Sequence, residues 1–136
     1  MSEHLVGKLL VATPILQDPN FSRSVVLICQ QDKDGYMGLL LNRPLEAKIA
    51  EHLPEWQHLC SAPQRIFEGG PVQREVVLAL GSHAPGDPGE GWTVVSDVLG
   101  LLDLGRDPTE LWGELERLRI FSGYAGWAAG QLEGEV

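Results

Sequence analysis

For most of its length the chain carries short apolar blocks separated by turn residues, the pattern of a strand-rich protein. Val6 to Ala12 reads as a first strand, closed at Thr13 because the residue before Pro14 is pushed towards extended geometry. Gln17 to Arg23 is a loop, with Asp18, Pro19 and Asn20 as turn formers. Ser24 to Gln30 and Tyr36 to Asn42 are two apolar runs joined by Asp32-Lys33-Asp34-Gly35, a β-hairpin whose Gly35 can take a positive φ. Neither run alternates polar with apolar, so both faces should be covered and the hairpin should lie centrally in a sheet.

The period then changes. Leu45, Ile49 and Leu53 fall on one helical face and Pro54 ends the run, which predicts a short surface helix over Leu45 to Leu53. Trp56, Leu59 and the prolines at 54 and 63 belong to an irregular segment packing back onto it. Arg65 to Glu68 and Gln73 to Leu80 read as strands paired with each other across Gly69-Gly70-Pro71. Ser82 to Gly91 reads as an exposed polar loop and Trp92 to Val95 as a strand, while Ser96 to Gly105 fits a short helix or a buried turn. A capped helix is expected next, with Asp107 at the N-cap, Pro108 in first position, Glu110 completing a capping box, and Leu111, Trp112, Leu115 and Leu118 on one face. Arg119 to Ser122 is a short strand leading to a glycine-rich turn, Gly123 to Trp127, followed by a helix over Ala128 to Glu135. Consecutive strands with few helices indicate an α+β domain with a mostly antiparallel, strongly curved sheet.

At 136 residues and 43% hydrophobic, one domain with one core is expected, burying about two-thirds of the unfolded surface. The charge of -9 is unevenly spread, with 7 basic and 8 acidic residues up to Arg74 against 3 and 11 from Glu75 onwards. No basic run offsets this, so direct nucleic-acid binding is not expected. Two cysteines, Cys29 and Cys60, are too few for a secreted disulfide framework and suit a reducing cytoplasm. The apolar run Leu9 to Leu16 is interrupted by Pro14, and no run approaches the roughly 20 residues that span a bilayer, so no membrane partner is expected.

Candidate chemistry is sparse. Cys29 sits in an apolar strand with no neighbouring cation to stabilise a thiolate, and Cys60 lies beside His58 in a polar loop, a better position for redox chemistry; a hydrolase- or thiol-type enzyme would use Cys29 or Cys60. His52, His58 and Cys60 match no zinc spacing, so no metal is expected. Gly81-Ser82-His83 lacks the G-x-S-x-G context of a serine nucleophile, and Gly86 to Gly91 lacks the G-K-[ST] of a phosphate loop, which leaves no cofactor expected. The strand, glycine turn and helix at Gly123 to Gly130 could present backbone amides to an anion. Arg23, Asn42 and Arg43, at the ends of the central hairpin, could supply charge. A ligand site is therefore expected among Asp18, Asn20, Arg23, Asn42, Arg43, Gly123 and Gly126, taking a small molecule or a protein.

Three phrases taken together, ATPILQDPNFSRSVVLICQQDKDGYMGLLLNRP, FEGGPVQREVVLAL and GYAGWAAGQLEGE, resemble the AlgH/YqgE family of bacterial proteins from about Gly7 to the C-terminus. The resemblance implies an α+β fold whose bifurcated, mostly antiparallel sheet closes into a pseudo-barrel with helices outside. It carries over no catalytic residue, because none is assigned in the family, and it brings a label as a transcriptional regulator. Many members place a histidine where Gly81 stands, and members continue beyond the Q-L-E-x-E phrase, so residues 1–136 are expected to be one domain short at its C-terminus. The reading that follows is a cytoplasmic, non-catalytic binding or regulatory protein acting on transcription indirectly, with a thiol- or hydrolase-type enzyme and a direct DNA-binding regulator as alternatives. A homodimer covering an exposed sheet edge is compatible with each.

Overall fold

The structure, a computed structural model, describes residues 6–11, 25–111 and 115–128. Among the described residues nine strands form one sheet, and the helical content between them is small. Strand β1 is Leu9–Val11, β2 Val25–Asp32, β3 Gly35–Leu40, β4 Pro44–Lys48, β5 Arg65–Glu68, β6 Val72–Ser82, β7 Trp92–Val94, β8 Leu99–Leu102 and β9 Arg117–Ala128. A single helical turn, α1, covers Ile49–His52, and 3-10 turns cover Pro54–Leu59 and Pro108–Leu111.

The expected central hairpin is present. Asp32 closes its turn, Oδ1 accepting from the amides of Asp34 at 2.8 Å and Gly35 at 3.1 Å, and Gly35 takes φ +151°. Strand β2 lies between β1 and β3, and β3 between β2 and β9, which accounts for the unbroken apolar runs. Val26 and Ile28 pack into one cluster and Leu27 and Cys29 into another, so both faces of β2 are covered.

Strand β9 organises everything else. Along one edge, residues 117–122 pair antiparallel with β6. Along the other, Phe121 and Ser122 pair with Phe67 and Glu68 of β5, the parallel pairing of the sheet, and Ala125 to Ala128 then pair antiparallel with β3. Two branches, β5-β4 and β3-β2-β1, thus leave the same edge of one strand. Gly69 closes the fork between them, its amide donating to Ser122 O at 2.9 Å and its carbonyl accepting from Leu40 N at 2.9 Å. The sheet is therefore bifurcated, mostly antiparallel and curled into a half-barrel, as the resemblance implied.

Three apolar clusters result. Before Gly123, Leu118 and Ile120 of β9 face the cluster containing Ile49, Trp56 and Leu111, while Phe121 faces the interior of the curl with Leu27, Leu39 and Phe67. Gly123 has φ +75° and shifts the alternation, so that Tyr124 packs against the curl interior and Ala125 and Trp127 join Val26 and Ile28 in the third cluster.

Several sequence expectations are corrected here. Leu45 to Leu53 is not one helix: Pro44–Lys48 is a strand paired with β5, and only Ile49–His52 is helical. The spacing that suggested a helix also alternates by two, with Leu45, Ala47 and Ile49 facing the core. The irregular segment after Pro54 is the 3-10 turn, and Trp56 and Leu59 do pack back as expected. Strands β5 and β6 flank Gly69-Gly70 but do not pair with each other; each pairs with β9. Ser96 to Gly105, expected as a short helix or a buried turn, contains strand β8. Asp107 does cap, accepting from Thr109 N at 2.9 Å, but the turn it starts is a 3-10 turn and Leu118 belongs to β9; Trp112 lies outside the described residues. No turn occurs at Gly123 to Trp127, because β9 runs straight through it. The predicted loop at residues 17–23 and most of the predicted helix over 128–135 also lie outside the described residues.

A Cβ at Gly123 would stand 2.6 Å from Gly70 O and 3.0 Å from Val72 O, both backbone atoms, at a φ that L side chains rarely adopt. Gly123→Ala is expected to destabilise the fold by about 2 to 4 kcal/mol. Gly86→Ala, also at positive φ (+107°) but with no atom within 4 Å, should cost only about 1 kcal/mol. Urea denaturation of the two variants checks this, and equal losses would contradict the role given to Gly123.

Candidate functional site

The curl brings the hairpin side of the sheet to face β6, β8 and β9, and a solvent-open cavity of about 630 Å³ lies in its mouth. Gly7, Leu9, Leu27 and Leu41 form the wall from the hairpin side. Leu80 and Ser82 of β6, Leu99 of β8 and Arg117 and Arg119 of β9 form the opposite wall, with Ser61 and Ala62 beside them. The register explains the second wall: Ser82 pairs with Leu99 on one side and Arg117 on the other, and the next row outlines Leu101, Leu80 and Arg119. Residues two apart on a strand share a face, so Arg117 and Arg119 project together.

Arg119 is held firmly for so long a side chain. Its Nη1 donates to Leu41 O at 2.9 Å, and its guanidinium carbon lies 4.2 Å from the centre of the Phe67 ring, a cation–π contact. Phe67 is itself fixed against Phe121, ring centres 5.9 Å apart. Partial burial lowers the guanidinium pKa from its ordinary value, yet leaves the group cationic. Among the described residues the ion pair shown is Arg74 with Glu68, and no carboxylate is paired with Arg119. The Ser82 hydroxyl, on the same face, is buried without a hydrogen-bond partner.

The expected site residues fall elsewhere. Asp18, Asn20 and Arg23 lie outside the described residues. Asn42 caps the hairpin, its Oδ1 accepting from Val25 N at 3.0 Å, and Arg43 O accepts from Glu68 N at 2.8 Å. Both directly follow Leu41, whose carbonyl holds Arg119. Gly123 and Gly126 lie inside β9, the first against Gly70 and the second opposite Met37, so no helix start presents amides there. Sequence reasoning missed Arg117, Arg119 and Ser82. The available signal was the alternation Arg117-Leu118-Arg119-Ile120, obscured by assigning Leu118 to a helix.

Nucleophilic chemistry has little support. Cys29 Sγ donates to Leu27 O at 3.6 Å inside the core, and burial pushes its pKa up to about 12. Burial likewise raises Cys60 to about 11. Both thiols are protonated at neutral pH. Gly81-Ser82-His83 is not the exposed loop expected: the first two residues end β6, and His83 is only 3% exposed. His83 shares the sheet face of Trp92, its ring meeting the indole edge-on at 5.1 Å, and its Nδ1 contacts Ala84 O at 2.7 Å. Ser82 faces the other way, into the cavity wall, so the two cannot act as a pair. Among the described residues no three His, Cys, Asp or Glu side chains could hold a metal ion, and no helix is long and apolar enough to cross a membrane.

A bifurcated, half-barrel α+β sheet with an apolar, arginine-bearing mouth defines a class by fold and cavity. The chain belongs to the AlgH-like family, whose family profile matches residues 9–136. A UPF0301 protein of Streptomyces coelicolor is 44% identical over 136 residues, covering 97% of this chain and 70% of that protein. A UPF0301 protein of Thermobifida fusca is 43% identical over 141 residues, covering 97% and 71%. Among solved structures, a Corynebacterium diphtheriae protein superposes with a TM-score of 0.91 at 32% identity, covering 98% of this chain and 72% of that one. AlgH of Pseudomonas aeruginosa superposes with a TM-score of 0.68 at 30% identity, covering 100% and 76%.

The buried thiols generate a test. Each has a folded-state pKa above the unfolded value of about 8.5. The folded state therefore holds more protons between these values, so stability is full below about pH 8.5 and falls as pH rises towards 11 and 12. Urea midpoints from pH 7 to 10 should decline, and less steeply in Cys29→Ala. Iodoacetamide should label neither cysteine at neutral pH as fast as a free thiol; fast labelling of Cys60 would restore the enzymatic alternative.

Proposed function

We propose that this chain is a non-catalytic binding protein that takes a small ligand in the mouth of the curl and acts in the cytoplasm as a regulatory component, with any influence on transcription indirect. The observation that carries this reading is the cavity itself. Its size lies in the range of small-molecule pockets, and its walls are apolar with a few convergent polar groups. Protonated thiols and the separation of Ser82 from His83 support binding over covalent chemistry. Asn42 and Arg43, adjacent to the wall residue Leu41, belong to the rim in this reading, while Asp18, Asn20 and Arg23, expected in the same ligand site, lie outside the described residues. Gly123 and Gly126 serve it indirectly, through the phase and pairing of β9. The acidic balance from Glu75 onwards supports an indirect role over direct DNA contact.

Thermal-shift screening of the full chain against nucleotides, cofactors and metabolites tests the proposal. At least one compound should raise Tm by about 2 to 5 °C, the scale expected of a ligand well above its Kd. Leu9→Trp, a substitution at an exposed position on the cavity wall, should abolish that shift while leaving the unliganded Tm nearly unchanged. No shift with any compound, together with no partner retained by the immobilised chain, sinks the reading.

A further inference from the structure

We propose that the ligand of this cavity is an organic carboxylate with an apolar body; this rests on the reading that the cavity is the ligand site. The carboxylate accepts hydrogen bonds from Arg119, and the body lies against Leu27, Leu80 and Leu99. A guanidinium has five N–H donors, and Arg119 commits Nη1 to the Leu41 carbonyl while one of its faces rests on Phe67. Arg119 lines the cavity with its other N–H groups uncommitted among the described residues, and these include the edge formed by Nε and Nη2, a planar fork that matches a planar carboxylate with two parallel hydrogen bonds. The position of that edge is set before any ligand arrives, since Leu41 and Phe67 fix the group from two sides.

Charge and polarity select the ligand further. A half-buried cation with no carboxylate partner among the described residues favours an anion over a neutral molecule. The surrounding leucines favour a single negative charge, because stripping water from a dianion beside them costs more than stripping it from a monoanion. Arg117 projects from the same face two residues away and is exposed, which suits it to attracting the anion at the entrance. The Ser82 hydroxyl, buried and without a partner, supplies a further donor next to Arg117 in the register.

Isothermal titration of the full chain with octanoate and benzoate, and with the matching amides and phosphate monoesters, tests this. The carboxylates should bind at least about tenfold more tightly than their amides, the difference expected for a charge-assisted bidentate pair. Arg119→Gln should remove that preference, and Arg119→Lys should restore only part of it, since an ammonium lacks the fork. Arg117→Gln, at an exposed residue, should slow association and weaken its salt dependence, and it keeps the test usable if Arg119→Gln fails to fold. Equal affinity for amide and carboxylate overturns the inference while leaving a binding cavity in place. Tighter binding of the phosphate monoesters overturns the carboxylate assignment, and failure of every probe to bind overturns it as well. The broader reading falls only if the metabolite screen is also silent.

Discussion

The alternation of side chains along β9 governs this fold. A strand in a flat sheet has one phase from end to end, but β9 must bury Leu118 and Ile120 on one side, Phe121 on the other, and then Ala125 and Trp127 in a separate cluster. The left-handed backbone at Gly123 makes the change of phase, and the tight approach of Gly70 to it holds β5, β6 and β9 together at that point. The fork of the sheet lies within a residue or two of the same place, since Ser122 bonds Gly69 and Ala125 begins the pairing with β3. Curvature, bifurcation and the division of the core are thus consequences of one local conformation, and the cavity is the space the curl leaves open.

Within that space, stability and recognition meet at Arg119. The side chain joins the hairpin branch, through the Leu41 carbonyl, to the β5 branch, through the Phe67 ring. A buried hydrogen bond to a charged donor contributes about 1.5 to 3 kcal/mol and a cation–π contact about 0.5 to 2. Neither interaction neutralises the charge. The same residue that ties the walls together therefore presents at the opening a positive group with no carboxylate partner among the described residues.

How much of this could be read from the chain depends on whether the deciding contact is local. The β2–β3 hairpin was legible because Asp32 and Gly35 close the turn by bonds within four residues. The cap at Asp107 was legible for the same reason. Leu45 to Leu53 was misread because apolar residues four apart satisfy a strand alternation as well as a helical face, and pairing of Pro44 with Phe67 decides between them. Leu111, Leu115 and Leu118 suggested one helical face, yet Leu118 is claimed by Gly81 across the ladder. Adjacency also misled: Gly69-Gly70 looked like the turn of a β5–β6 pair, but both strands find β9, far along the chain. The cavity was not legible, because its walls come from five strands and its cationic pair is visible only once Arg117 and Arg119 are known to share a strand.

The position of β9 in chain order has a consequence for biosynthesis. Every other described strand leaves the ribosome before it, and three ladders wait for it: those of β3, β5 and β6. Until then the nascent chain can form the β2–β3 hairpin and the three-stranded β6–β8–β7 unit, each with one long edge of unpaired amides and carbonyls. Such edges recruit other chains. Translation through the residues between Leu102 and Ala128 is accordingly the interval in which a chaperone that shields strand edges has the most to protect.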